Sequence, residues 1–171
     1  MRKVGFAVIG MAISACLIVP IAVTSASATD NASPIYGVTI PRGYRQWAMV
    51  APSHEMSLDE LRVILGNPEA MKAYEKQVLP FPDGTVLAKL GWKRISLVEG
   101  HETIPEAFVP GHTTTVQFMV KNSKRYAATG GWGFGRFIDG KPVDDAQHET
   151  CFSCHAAHAK EQDYVFTRYA P

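Results

Sequence analysis

Cysteine is scarce in this chain. Of 171 residues only Cys16, Cys151 and Cys154 are cysteine. Cys16 lies in an apolar leader, so the remainder keeps a single pair two residues apart. That excludes a disulfide framework and leaves a small redox loop, part of a metal site or a cofactor attachment site. An excess of either charge is also missing, with 17 Lys and Arg against 16 Asp and Glu. Near neutrality argues against a nucleic-acid footprint or a polybasic membrane patch. Internal repeats and low-complexity tracts are absent, and the length suits one domain.

There is one long hydrophobic run. Arg2 and Lys3 precede residues 4–23, which are apolar except at Gly5, Gly10, Ser14, Cys16 and Pro20. Ser25-Ala26-Ser27-Ala28 then supplies small residues in the Ala-x-Ala pattern. Together these read as a secretory signal peptide cleaved after Ala28, leaving residues 29–171 as a single exported domain, in the periplasm. Two alternatives fit less well. A retained membrane anchor conflicts with Pro20 and the lack of a charged flank. Lipidation at Cys16, through Ile13-Ser14-Ala15-Cys16, conflicts with the apolar run that continues beyond it.

The cysteine pair belongs to Cys151-Phe152-Ser153-Cys154-His155, the C-x-x-C-H pattern of c-type haem attachment. Each thiol adds to one haem vinyl group, two intervening residues let a helical turn bring both sulfurs to the porphyrin edge, and the adjacent imidazole becomes the proximal iron ligand. A thioredoxin-like dithiol would sit early in a βαβ unit, and none surrounds this motif. A zinc site would need more ligands than nearby His158. One motif implies one covalent haem c, bound by Cys151, Cys154 and His155, with His155 on the iron. Only sixteen residues follow His155, and none is methionine. A methionine ligand would have to come from Met49, Met56, Met71 or Met119; for Met49 and Met119, in apolar runs, core packing is expected. His54, His101, His112, His148 and His158 lie in polar contexts and are expected at the surface. The expectation is an open distal position, which suits ligand chemistry more than simple electron carriage.

Period-two alternation and turn residues organise the rest. Strands are expected over residues 44–50, 85–95, 113–120, 132–138 and 164–169, with a further apolar run at 61–65. In 113–120, Thr113, Thr115, Gln117 and Met119 face one way and Thr114, Val116, Phe118 and Val120 the other. Asn67 and Pro68 open a helix as N-cap and first residue, with Glu69 at its positive end, running to about Gln77. Pro80 and Pro82 close it. A loop is expected over 100–112, a short helix over 122–128 ended by Gly130-Gly131, and another short helix around the haem motif. Gly133 and Gly135 strip side chains from one strand face, a mark of close approach by a ligand or backbone. The fold class is mainly β with short helices (α+β), an antiparallel sheet packing against a c-type haem.

Several segments together resemble the cytochrome P-460 family, which includes the β-sheet cytochromes c-prime. They are Pro41-Arg42-Gly43-Tyr44-Arg45-Gln46-Trp47, Phe81-Pro82-Asp83-Gly84-Thr85-Val86-Leu87-Ala88-Lys89, Val120-Lys121-Asn122-Ser123-Lys124-Arg125-Tyr126 with Trp132, and the haem motif with Val165-Phe166-Thr167-Arg168. The resemblance implies a dimer-forming antiparallel β fold with haem held against the sheet. It implies one of two activities: hydroxylamine oxidation, with electrons passed to a periplasmic acceptor, or binding of nitric oxide and related gases without catalysis.

Lys89 matches the lysine that hydroxylamine-oxidising members bond to a porphyrin meso carbon. By its own pattern, Lys89 shares a strand face with Leu87 and Gly91 and is either buried with a purpose or a solvated edge lysine. Where those members carry a distal glutamate, this chain has Gln117. An amide can hydrogen-bond but cannot take a proton, and a general base is worth about 10²- to 10⁴-fold in rate. Arg136 either reaches the pocket or a haem propionate, or faces outward. Phe118, Trp132 and Phe134 are candidates for the pocket wall, with core packing the alternative.

Overall fold

The computed structural model describes Met1, residues 31–96 and residues 107–170. The expected leader after Met1 and residues 100–106 of the expected loop, His101 among them, lie outside the described residues. In chain order the elements are β1 (Ala48–Glu55), β2 (Glu60–Gly66), α1 (Pro68–Glu75), β3 (Val86–Ser96), β4 (Phe108–Lys121), β5 (Trp132–Ile138), β6 (Lys141–Pro142) and α2 (Asp145–Ala159). The strands form one sheet in the order β1-β2-β3-β4-β5-β6, every neighbouring pair antiparallel. This is the expected class, mainly β with short helices.

Local chemistry explains the connections. Asn67 Oδ1 accepts from the N–H groups of Ala70 and Val86, each at 3.0 Å, so one side chain caps α1 and ties it to the start of β3. Asp139 and Gly140 both have positive φ, the geometry of a two-residue hairpin turn, and they join β5 to β6. One sheet face carries the aromatic core: the Phe118 ring meets Tyr44 at 5.1 Å and Phe137 at 5.9 Å between centroids. Trp132, Phe118 and Val50 are fully or almost fully buried.

Four local expectations are corrected. Tyr44–Gln46 is a turn of 3-10 helix, and the first strand begins at Ala48. β4 starts at Phe108, inside the expected loop. Of β4, only Val116–Lys121 pairs with β5, so among the described residues its earlier half is an edge on that side, where Pro110 needs no partner for an N–H it lacks. Residues 122–128 form turns ending in a 3-10 helix at Ala127–Thr129, closed as expected by Gly130 and Gly131 at positive φ. Residues 164–169 are not a strand. Asp163 and Tyr164 both have positive φ, which breaks the extended run, and the segment is held by separate contacts instead.

Candidate cofactor site

Strand register assembles the site. Ile64, Lys89, Gln117 and Arg136 lie directly opposite one another on β2, β3, β4 and β5. The next row is Gly66, Leu87, Met119 and Phe134. Both rows, except Gly66, line one cavity of about 510 Å³, with Ser53, Glu55 and Arg62 on one side and Cys151, Cys154, His155 and His158 of α2 on another. All six site residues expected from sequence therefore meet in one cavity. Its size falls within the range of small-molecule and cofactor pockets.

Helix α2 is capped by Asp144, whose carboxylate accepts from the Gln147 N–H at 3.0 Å. Residues three, four and seven apart share a helix face, which groups Cys151, Cys154, His155 and His158. His155 Nδ1 lies 2.7 Å from the Tyr164 carbonyl and donates to it, so Nε2 keeps its lone pair for a metal. The Phe134 and Phe166 rings flank this imidazole at 5.0 and 4.7 Å. Burial pulls the His155 pKa down, against the Tyr164 hydrogen bond, which favours the neutral ligand form. Burial pushes the Cys151 thiol up, opposite to the activated cysteine of a redox dithiol. The Tyr164 carbonyl is itself anchored by its neighbour. Asp163 forms a buried ion pair with Lys121 at 2.8 Å, accepts from the Phe81 N–H at 2.9 Å, and its carbonyl takes the Trp132 indole N–H at 2.7 Å.

Lys89 is half-buried in the cavity. Burial lowers its pKa to about 8, with Arg62 and Arg136 pushing the same way and Glu60 and Glu55 opposing. Gln117 Nε2 donates to Thr115 Oγ1 at 3.1 Å. A register shift in β4 opposite Gly91 breaks the expected alternation, so that Thr114 also reaches this face and donates to Glu60. A Cβ on Gly91 would lie 2.6 Å from Glu60 Oε1 and 2.7 Å from Thr114 Oγ1; the missing side chain lets Glu60 cross β3. Burial raises the Glu60 pKa, but bonds from Thr114 and Arg62 outweigh it and hold the carboxyl below its ordinary range.

The donor set fits a haem. Arg136 lines the cavity, and its buried Nε has no hydrogen-bond partner among the described residues, so a carboxylate such as a haem propionate would satisfy it. No group of three or more His, Cys, Asp or Glu among the described residues is arranged to hold a bare metal ion. A haem brings its own ring nitrogens and asks the protein only for axial ligands.

Three expectations change. Without Cβ atoms, Gly133 makes room for the Tyr126 ring and Gly135 for Val38 and Phe137; of the two, only Gly135 lines the cavity. Phe134 and Phe118 both line the cavity, the Phe118 ring also packing on Tyr44 and Phe137, whereas Trp132 does not line it and packs on Phe81 at 5.8 Å. Met119, expected in packing, lines the cavity. The largest omission is His148, expected at the surface but fully buried and bonded to the Arg136 N–H at 3.1 Å. Its polar neighbours Gln147 and Glu149 hid it. Only its place one turn before Cys151 could have marked it. Arg62 and Glu60 were also missed; their alternation with Ile64 on β2 was the available signal.

A family model described as Cytochrome P460 matches residues 41–167. A search of curated proteins finds no match. The matched span covers the sheet, the Lys89 row and the Cys151-to-His155 helix, and the chain belongs to the cytochrome P460 family as a haem cytochrome of that kind.

Proposed function

We propose that the chain is an exported, periplasmic monohaem c-type cytochrome, a homodimer, that oxidises hydroxylamine and passes the electrons to a periplasmic acceptor. Cys151 and Cys154 would hold the haem through thioethers and His155 Nε2 would take the iron. When bound, the haem supplies a redox-active iron with an open position for a small ligand. The observation that carries the reading is Lys89, which points into the cavity shared with all three motif residues.

The chain's own groups divide the remaining work. The Tyr164 carbonyl fixes the His155 tautomer and ring direction. Arg136 presents a buried donor to an anionic group. Lys89, with its pKa lowered to about 8, has a substantial neutral fraction near physiological pH, so its amine would supply the nitrogen of the covalent porphyrin bond that the family resemblance implies; that bond replaces an N–H and a meso C–H and requires a two-electron oxidant from outside the chain. Gln117 can orient a ligand opposite Lys89 but takes no proton from it.

Gln117 also favours a second reading, a non-catalytic protein binding nitric oxide or a related gas. The row across β2–β5 holds no carboxylate, and ligand binding needs none. Mass spectrometry of a tryptic digest separates the two. Hydroxylamine chemistry of the P460 type predicts the haem peptide joined to the Lys89 peptide. A free Lys89 peptide removes the support for that reading and leaves gas binding. Ready carbon monoxide binding by the ferrous protein is expected in both; its failure would mean that Met119 or another group holds the sixth position.

A further inference from the structure

We propose that His148 is a positioning residue, which fixes the cofactor-bearing helix to the end of the strand row that carries Lys89, Gln117 and Arg136. The proposal rests on the reading above, in which α2 carries the haem.

Strand β6 is only two residues long. It pairs Phe137 with Pro142 and Ile138 with Lys141, and the Arg136 carbonyl takes one further bond from the Val143 N–H at 3.0 Å. The chain then turns into α2 at Asp144, so no strand residue reaches the Arg136 N–H. A buried backbone donor without an acceptor is costly. His148 supplies the acceptor where the strand has stopped: its Nε2 lies 3.1 Å from that N–H. Its Nδ1 lies 2.9 Å from the Asp144 carbonyl one helical turn earlier. The two partners fix the tautomer, because a ring nitrogen facing a carbonyl must carry the proton and one facing an N–H must not. The ring is fully buried.

The bonded residue on β5 ends the row Ile64, Lys89, Gln117, Arg136. On α2, Cys151 follows His148 by three residues and His155 by seven, on the same side of the helix. At 1.5 Å per residue, His155 lies about 10 Å along the axis from His148. A helix released at that point pivots His155 and the cysteines relative to Lys89. Misplacement by about 1 Å is enough to change a reaction by about 10²-fold.

The test uses the full chain matured with its haem, as the parent, His148→Leu and His148→Gln. Leu removes both bonds, whereas the Gln carbonyl can still accept from Arg136. Two readouts are taken: the fraction of haem peptide joined to Lys89 in tryptic digests, and the rate of carbon monoxide rebinding to the ferrous protein. His148→Leu is expected to keep haem on Cys151 and Cys154 but lose about fivefold or more of the Lys89 link and shift the rebinding rate by about threefold or more. His148→Gln is expected to stay within about twofold of the parent. If the parent carries no Lys89 link, the hydroxylamine reading loses its support while the rebinding rates still judge His148. Parent-like behaviour of His148→Leu in every available readout overturns the proposal. So does His148→Gln behaving as His148→Leu, which would make ring volume the cause. If His148→Leu yields no holoprotein, amide exchange decides: a protected Arg136 N–H in the parent and in His148→Gln supports the bond, and an unprotected one in the parent overturns it.

Discussion

The two faces of strands β3 to β5 are one residue apart in sequence and opposite in character. Lys89, Gln117 and Arg136 face the cavity. Their neighbours Ala88, Phe118 and Phe137 are buried in the core. The cavity face holds unmatched polar groups, among them Arg136 Nε and a lysine whose charge is disfavoured. The core face holds rings in edge-to-face contact. Period two lets one strand serve both purposes, with a well-packed side holding a polar side in place.

Substitutions at adjacent positions test that division. Phe118→Ala should cost about 3–5 kcal/mol in stability, since it removes a buried aromatic side chain and leaves a hole. Denaturant melts of the parent and variant check this, and a loss below about 1 kcal/mol would mean that the core face is not rigid. Gln117→Glu, one residue away, should barely move the melt yet raise hydroxylamine turnover by about 10²- to 10⁴-fold, because it restores a proton acceptor opposite Lys89. Unchanged turnover sinks the account of the missing base.

The smallest effect concerns Lys89 in protein where it remains unlinked. Folding lowers its pKa from 10.5 to about 8. Between those values the unfolded chain binds more protons than the folded one, so stability should rise with pH across that window. Below about pH 8 both states are protonated and the destabilisation is complete. Urea melts at pH 7, 9 and 10 should show the rise in the parent and its absence in Lys89→Met. The same slope in both proteins would assign it to another group.

Much of this was legible beforehand, for local reasons. Asn67 and Pro68 located α1 because capping depends on neighbouring atoms. The alternation over residues 113–120 placed Gln117 and Phe118 on opposite faces and failed at Thr113 and Thr114, which the register shift opposite Gly91 exchanges between the faces. That the six expected residues share one cavity was readable, since Lys89, Gln117 and Arg136 sit on strands whose period is simple and Cys151, Cys154 and His155 form a compact motif. What escaped was set by distant partners. Nothing near His148 announces that an N–H twelve residues earlier lacks an acceptor. Nothing near Tyr164 shows that its carbonyl turns to His155, because Lys121, forty-two residues before Asp163, sets that bend.

The order of the strands has a kinetic consequence. A meander pairs each strand with its neighbour in sequence, even across the α1 segment between β2 and β3, and such local closures cost less chain entropy than distant ones. The contacts around the cofactor site belong to another class. The Ser33 hydroxyl reaches the Phe134 carbonyl across 101 positions of sequence, and the Tyr74 hydroxyl reaches the Thr167 carbonyl across 93. Hairpins can zip without either. The tail after α2 docks through Asp163 on Lys121, Phe81 and Trp132 of the sheet and its approach, so the bend that aims the Tyr164 carbonyl at His155 is expected to form only after those partners are in place.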